Sequence, residues 1–99
     1  MHEQMSSYVW DLGKEWINKG KHGVDFFTAE KAFKDPKRKI FMDHKHSEKE
    51  LRYFCVGKVG SKVLTVRFIY REGKIRIIGA GYWRKGVKYY GQNQKEESG

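Results

Sequence analysis

The stretch 63–80 most tightly limits how this chain folds. Residues 63–71 largely alternate apolar and polar side chains, Glu72-Gly73 interrupts them, and 74–80 takes up the pattern again. This is the signature of a β-hairpin with a glycine-bearing two-residue loop. The loop sets a register in which Arg71 faces Lys74, Tyr70 faces Ile75, Ile69 faces Arg76 and Phe68 faces Ile77. Paired residues share a face and side chains alternate along a strand. One face therefore carries Leu64, Val66, Phe68, Tyr70, Ile75 and Ile77. The other carries Thr65, Arg67, Ile69, Arg71, Lys74, Arg76 and Ile78. A slip of one residue would bury the four cations, so the first face is the core face.

A lone hairpin is marginal in water, and the upstream sequence supplies its cover. Asp11 is placed to cap a helix whose Leu12, Trp16 and Ile17 form an apolar stripe, with Gly20 and Gly23 ending it. Asp25 caps a second helix, with Val24 and Ala29 as a hydrophobic staple. Phe26, Ala29, Ala32 and Phe33 form its apolar face, and Pro36 closes it. Residues 8–10, 39–42 and 51–59 read as further strands, with a turn over 57–62. Asp43 to Glu50 reads as a polar connection, in which Ser47 and Glu50 are spaced to cap a short turn. After Gly81, Gly86 and the β-prone aromatics argue against a stable helix over 82–90. The expected class is α+β, with N-terminal helices packed on a small antiparallel sheet. Residues 1–90 form one domain and 91–99 a polar, disordered tail.

Composition narrows the function. Cys55 is the one cysteine, which excludes an internal disulfide and a multi-cysteine zinc site and suits a small core residue. No apolar run approaches the roughly 20 residues of a membrane span. Residues 1–7 lack the basic start and apolar stretch of a secretory leader, so a reducing, cytoplasmic setting is expected. The chain carries a net charge of +9. Residues 51–90 hold ten Lys/Arg and one acid, Glu72, so this block carries the whole excess. Such a concentrated field attracts polyanions, chiefly nucleic acid or an acidic protein.

The ordered strings Tyr8-Val9-Trp10-Asp11 with Lys14, Lys21-His22-Gly23-Val24-Asp25-Phe26, Phe33-x-Asp35-Pro36, Asp43-x-x-His46-Ser47, Glu50-x-Arg52 and Ile75-Arg76-Ile77-Ile78 carry a resemblance. Over about residues 8–90 the chain resembles the BrnT family, the ribonuclease toxins of bacterial type II toxin–antitoxin pairs. The resemblance implies a RelE-like toxin fold and RNA cleavage without metal or cofactor. It also implies a cognate, BrnA-like antitoxin as partner and promoter DNA bound only by the toxin–antitoxin complex; no membrane association is expected, from the lack of a spanning run. The chain departs from the family pattern after Ile78. Gly79-Ala80-Gly81 stands where the family runs Ser-Ala-Arg, and Tyr82-Trp83-Arg84-Lys85-Gly86 lacks the family's Glu. Tyr89-Tyr90 still matches.

Metal-free cleavage requires deprotonation of the ribose 2′-OH, stabilisation of the phosphorane charge and protonation of the leaving 5′ oxygen. His22, following Lys21 at a glycine-ended helix junction, is the first candidate for proton transfer; packing at the helix end is its structural alternative. His46 is the second, or else it orders its loop by bonding Asp43. A metal site at His44-x-His46 has only Asp43 as a nearby third ligand. Arg76 and Arg52 complete the expected catalytic set, Arg52 alternatively pairing with Glu50. Trp10, Lys14, Lys21, Arg67, Arg71, Lys74 and Arg84 are the expected RNA-binding residues. For Trp10 the competing role is core packing; for the cations it is a solvated surface. The leading reading is a ribonuclease toxin held inactive by an antitoxin. The alternatives are a catalytically impaired toxin-like module acting in a repressor complex, and a nonspecific RNA-binding domain.

Overall fold

The computed structural model describes residues 7–98, with side chains from Ser7 to Gly91. The chain runs β1 (Tyr8–Trp10), α1 (Leu12–His22), α2 (Phe26–Glu30) and a 3₁₀ turn at Lys31–Lys34. Then come β2 (Lys39–Met42), a 3₁₀ turn at His44–His46, β3 (Tyr53–Val59), β4 (Lys62–Arg71), β5 (Lys74–Gly81) and α3 (Arg84–Ser98). The strands form one sheet in the order β1-β5-β4-β3-β2. The fold is α+β, and among the described residues no helix is long and apolar enough to cross a membrane. The leader question concerns residues 1–7, of which 1–6 lie outside the described residues.

The hairpin register is the expected one from Arg71↔Lys74 to Phe68↔Ile77. Glu72 (φ 55°) and Gly73 (φ 77°) both take left-handed conformations. The twist of such a turn matches that of its strands. Beyond Phe68 the ladder shifts, so that Arg67 pairs with Gly79 and Ile78 is left without a partner strand residue. This bulge puts Ala80 opposite Val66 on the core face.

The core lies between one sheet face and the α2 segment. Leu64, Val66, Phe68, Cys55, Ile77 and Ala80 pack against Val24, Phe26, Ala29, Ala32 and Phe33. Gly57 is a strand residue rather than the start of a turn, and the turn falls at Gly60. A Cβ on Gly57 would collide with the Ala32 carbonyl oxygen, so only glycine lets the Lys31–Lys34 turn settle on the sheet. Both caps are present: Asp11 accepts from the Lys14 N–H, and Asp25 from the Thr28 N–H. The Lys14 N–H bond holds the Asp11 carboxyl below its usual range, and the Thr28 side chain, together with its N–H, does the same for Asp25.

Several expectations are corrected. The sheet is mixed, because β1 runs parallel to β5. The helices are not gathered at the N-terminus, since α3 packs against β3 and β4. Gly20 lies within α1, which ends at Gly23 (φ 69°). The stripe of α1 is exposed at Leu12 (75%), Trp16 (78%) and Ile17 (58%). Its inner face is polar instead. Asn18 Nδ2 donates to the Val24 and Ala80 carbonyls at 3.1 and 2.9 Å, and Asn18 Oδ1 accepts from the Ala80 N–H at 3.1 Å. Glu15 Oε2 accepts from the Phe26 N–H. Tyr70, expected in the core, is 52% exposed, while Ile69 on the basic face is buried at 4%. The backbone of α3 runs through 84–98, into the segment expected as a polar tail, whose side chains beyond Gly91 lie outside the described ones.

Candidate active site

The second sheet face carries Val56, Thr65 and Arg67, placed there by the pairs Val56↔Thr65 and Phe54↔Arg67. Here α3 descends onto the sheet through three contacts. A Cβ on Gly86 would collide with Thr65 Oγ1, so glycine allows the closest approach. A Cβ on Gly81 would lie 2.6 Å from the Trp83 ring, which also meets the His22 ring edge-on at 5.1 Å. Tyr89 packs on Phe41 at 4.7 Å, and Phe41 in turn on Phe54 at 5.2 Å. Trp83, Gly86 and Tyr90 fall at i, i+3 and i+7, so one helix face meets the sheet and the turn before β2.

Between these elements lies a cleft of about 580 Å³. Phe54, Thr65 and Arg67 come from β3 and β4, Phe41 and Met42 from β2, and Trp83, Lys85 and Tyr89 from the α3 region. The turn His44–His46 and Asp43 complete the lining. The cleft thus joins aromatic rings to cations, a combination suited to flat bases and phosphates.

Its best-defined polar group is the pair Asp43–His46. Asp43 is buried (6% exposed), and its Oδ2 lies 2.9 Å from His46 Nδ1. A carboxylate on Nδ1 fixes the ring's orientation and leaves Nε2 available for proton exchange. Ser47 braces the segment by donating to the Asp43 carbonyl at 2.7 Å and accepting from the Arg52 N–H at 2.9 Å. The Asp43 N–H also donates to the Arg52 carbonyl at 2.8 Å. Ser47 Oγ is thus engaged with Asp43 and Arg52 rather than in the expected capping arrangement with Glu50. Among the described residues no group of three or more His, Cys, Asp or Glu side chains is placed to hold a metal ion.

Of the expected catalytic and RNA-binding set, Arg67 lines the cleft, where the second proton-transfer candidate His46 and its partner Asp43 join it; the Arg67 Cδ and a Cβ built on Gly79 would be 3.7 Å apart. His22 meets the cleft only through Trp83. Arg76 is half-buried, opposite Ile69 on the same face as Arg67 but outside the cleft lining. The Arg52 backbone holds the His44–His46 loop, and Glu50 pairs with Arg71 at 3.1 Å rather than with Arg52. Trp10 packs edge-on against Phe26 in the core. Lys14, Lys21, Lys74 and Arg84 are exposed on α1, at the hairpin end and at the start of α3. Phe41, Trp83, Lys85 and Tyr89 were not among the expected site residues. The Trp83/Gly86/Tyr90 spacing was the available signal, hidden by the low helix propensity of glycine.

Two tyrosine and cysteine environments bear on stability rather than chemistry. The Tyr90 hydroxyl is pushed up to about 12 by its hydrogen bond to Asp35, with burial adding to it. Burial alone would raise the Asp35 carboxyl, but hydrogen bonds from Tyr90, Lys58 and Lys37 outweigh it and hold the group low. Burial pushes the Cys55 thiol up to about 12, so it stays protonated as a core residue.

Compared with known proteins, residues 10–86 match the family described as "Ribonuclease toxin, BrnT, of type II toxin-antitoxin system". No curated protein matches the chain.

Proposed function

Because the chain belongs to the BrnT family of type II ribonuclease toxins, we propose that the α3-covered cleft is where it cleaves RNA. The observation that carries this reading is the convergence of Arg67 with the Asp43–His46 pair in one aromatic cleft. Arg67 offers a permanently charged, planar set of donors to the scissile phosphate. His46, oriented by Asp43, takes the proton of the 2′-OH. The 2′ oxygen bonds to phosphorus, the bond from phosphorus to the 5′ oxygen breaks, and that oxygen takes a proton from solvent. The products are a 2′,3′-cyclic phosphate and a 5′-OH. None of these steps calls on a metal or cofactor.

The remaining residues have roles around this centre. Arg76, with Arg71 and Lys74 toward the hairpin end, extends a phosphate track away from the cleft. Lys14, Lys21 and Arg84 add to the field that gathers RNA. Arg52 acts through its backbone, by holding the loop that carries His46. His22 braces Trp83, so proton transfer passes to His46. In this reading the α+β arrangement is a RelE-like toxin fold working in the cytoplasm. A cognate, BrnA-like antitoxin neutralises it, and promoter DNA is bound only by the complex of the two.

The glycines that depart from the family pattern bear on whether catalysis survives. Gly81 and Gly86 lie under the Trp83 ring and against Thr65, a sufficient steric reason for both. A Cβ at Gly79 would meet only ordinary contacts. The test is incubation of the purified chain with end-labelled RNA in excess chelator. Cleavage to cyclic-phosphate ends is expected, and a single 2′-deoxy substitution at the cut position should block it. An intact RNA that is nonetheless bound would sink the ribonuclease reading in favour of a toxin-derived binding module.

A further inference from the structure

Helix α1 is amphipathic in the reverse of the usual sense. At about 100° per residue, Glu15, Asn18 and His22 share its inner face, and each contacts another element. Leu12, Gly13, Trp16, Ile17 and Gly20 share the outer face, within an arc of roughly 140°. Leu12, Trp16 and Ile17 leave most of their surface in water. A Cβ on Gly20 would meet nothing within 4 Å. Three large apolar side chains in six positions on one rigid helix form a patch that a free monomer seldom leaves open.

We propose that this outer face of α1 docks an amphipathic helix of the antitoxin, one whose apolar stripe is bordered by carboxylates. The argument for the borders is charge. By the same helix geometry Lys19 flanks the patch beside Leu12, while Lys14 and Lys21 flank it beside Ile17. A helix with acidic edges meets a lysine on either side and buries its apolar stripe between them. Gly13 and Gly20 let that helix approach the α1 backbone on either side of Trp16. A second copy of this chain fits poorly, since it would set lysines against lysines in a molecule of net charge +9. An anionic lipid surface also attracts lysines, but it favours an unbroken bulky face, and two glycines interrupt this one. Trp16 supplies the large central side chain around which such interfaces are built.

The surface is separate from the cleft, and its occupant rests on the antitoxin reading above. The experiment pairs the full chain with the product of the gene encoded beside it, comparing wild type with Leu12→Ser/Trp16→Ser. The two positions are solvent-exposed, so the variant keeps its fold, verified by thermal melting. Its affinity for the neighbouring product should fall at least 30-fold, while cleavage of RNA by the free chain is unchanged. Lys19→Glu/Lys21→Glu should weaken the same complex at low salt and lose most of that effect at high salt. In the wild-type complex, amide exchange should slow over 12–22. Unchanged affinity, or no complex at all, overturns the proposal without touching the ribonuclease reading, which free-chain cleavage tests independently. Concentration-dependent self-association abolished by the double serine variant also overturns it. So does Trp16-dependent binding to phosphatidylglycerol vesicles at an affinity matching or exceeding that for the protein partner.

Discussion

The Tyr90 hydroxyl donates to Asp35 Oδ2 at 2.6 Å, joining residues 55 positions apart and tying α3 to the turn that leads into β2. The same oxygen accepts from the Lys58 N–H at 2.7 Å. Tyr90→Phe removes the charge-assisted bond and keeps the ring. The expected cost is about 1 kcal/mol, at the low end for such a bond because the site is open to water. That corresponds to roughly 4–8 °C in melting temperature for a domain this size.

The pair also sets limits on pH. The Tyr90 value is raised, so its contribution is complete below the ordinary value of 10.0 and is lost as pH rises through about 12. The Asp35 value is lowered, so its contribution is present above the ordinary 3.8 and is lost as pH falls through the lowered one. The stability difference between wild type and Tyr90→Phe should therefore be flat from about pH 5 to 9 and shrink toward both extremes. Denaturant titrations across that range measure it; a difference that grows at high pH would contradict the assignment.

Gly86→Ala sets a methyl against a stiff, buried threonine and should destabilise by roughly 1–3 kcal/mol. The Thr65 hydroxyl is buried with no hydrogen-bond partner among the described residues. Thr65→Ala alone should therefore cost little, and the double variant should recover much of the loss. A double-mutant cycle by chemical denaturation reads this coupling; additive effects would show that α3 does not rest there. Gly79→Ala, whose Cβ would meet only ordinary contacts, should be near neutral.

His46→Ala should slow RNA cleavage by roughly 10²–10⁴. Asp43→Asn should slow it too while leaving the backbone bonds of Asp43 in place, because only the carboxylate orients the ring. Single-turnover rates with melting curves separate chemistry from folding. Full activity in a folded His46→Ala variant would return the proton-transfer role to His22.

Arg67→Ala should slow cleavage by roughly 10²–10³, with partial rescue by lysine, which brings the charge without the planar fork. Arg76→Ala, outside the cleft lining, should weaken RNA binding more than it slows the cleavage of bound RNA. Binding itself should fall tenfold or more between about 50 and 200 mM salt as phosphate contacts are broken. A salt-independent affinity would count against the basic face as the binding surface.

The hairpin was legible because three constraints agree on it: the alternation, the two-residue loop and the four cations that cannot be buried. The α2 segment was legible for a similar reason, its apolar stripe being capped by Asp25 and closed by Pro36. Helix α1 shows what periodicity leaves open. Leu12, Trp16 and Ile17 mark a stripe, but a stripe points equally well to a core or to a partner. The deciding contact, Asn18 with Ala80, spans 62 positions. The bulge at Ile78 was hidden for lack of a local turn signal, and it carries Ala80 onto the core face. Helix α3 was missed because Gly86 weakens an isolated helix, whereas here that glycine permits the packing that stabilises it. The cleft followed α3 out of view, and only Arg67 and the alternative Asp43–His46 pair were visible beforehand.

The parallel pairing of β1 with β5 also has a consequence in time. Among the described residues, β1 pairs only with β5, whose residues are made long after it, and Asn18 waits on Ala80, 62 residues later. At ordinary synthesis rates that interval is roughly 3–12 s. Helix α3, one wall of the cleft, is made after both. A chain of this topology has no assembled cleft until α3 has been translated and has docked, so its hazard to the RNA around it waits on that helix.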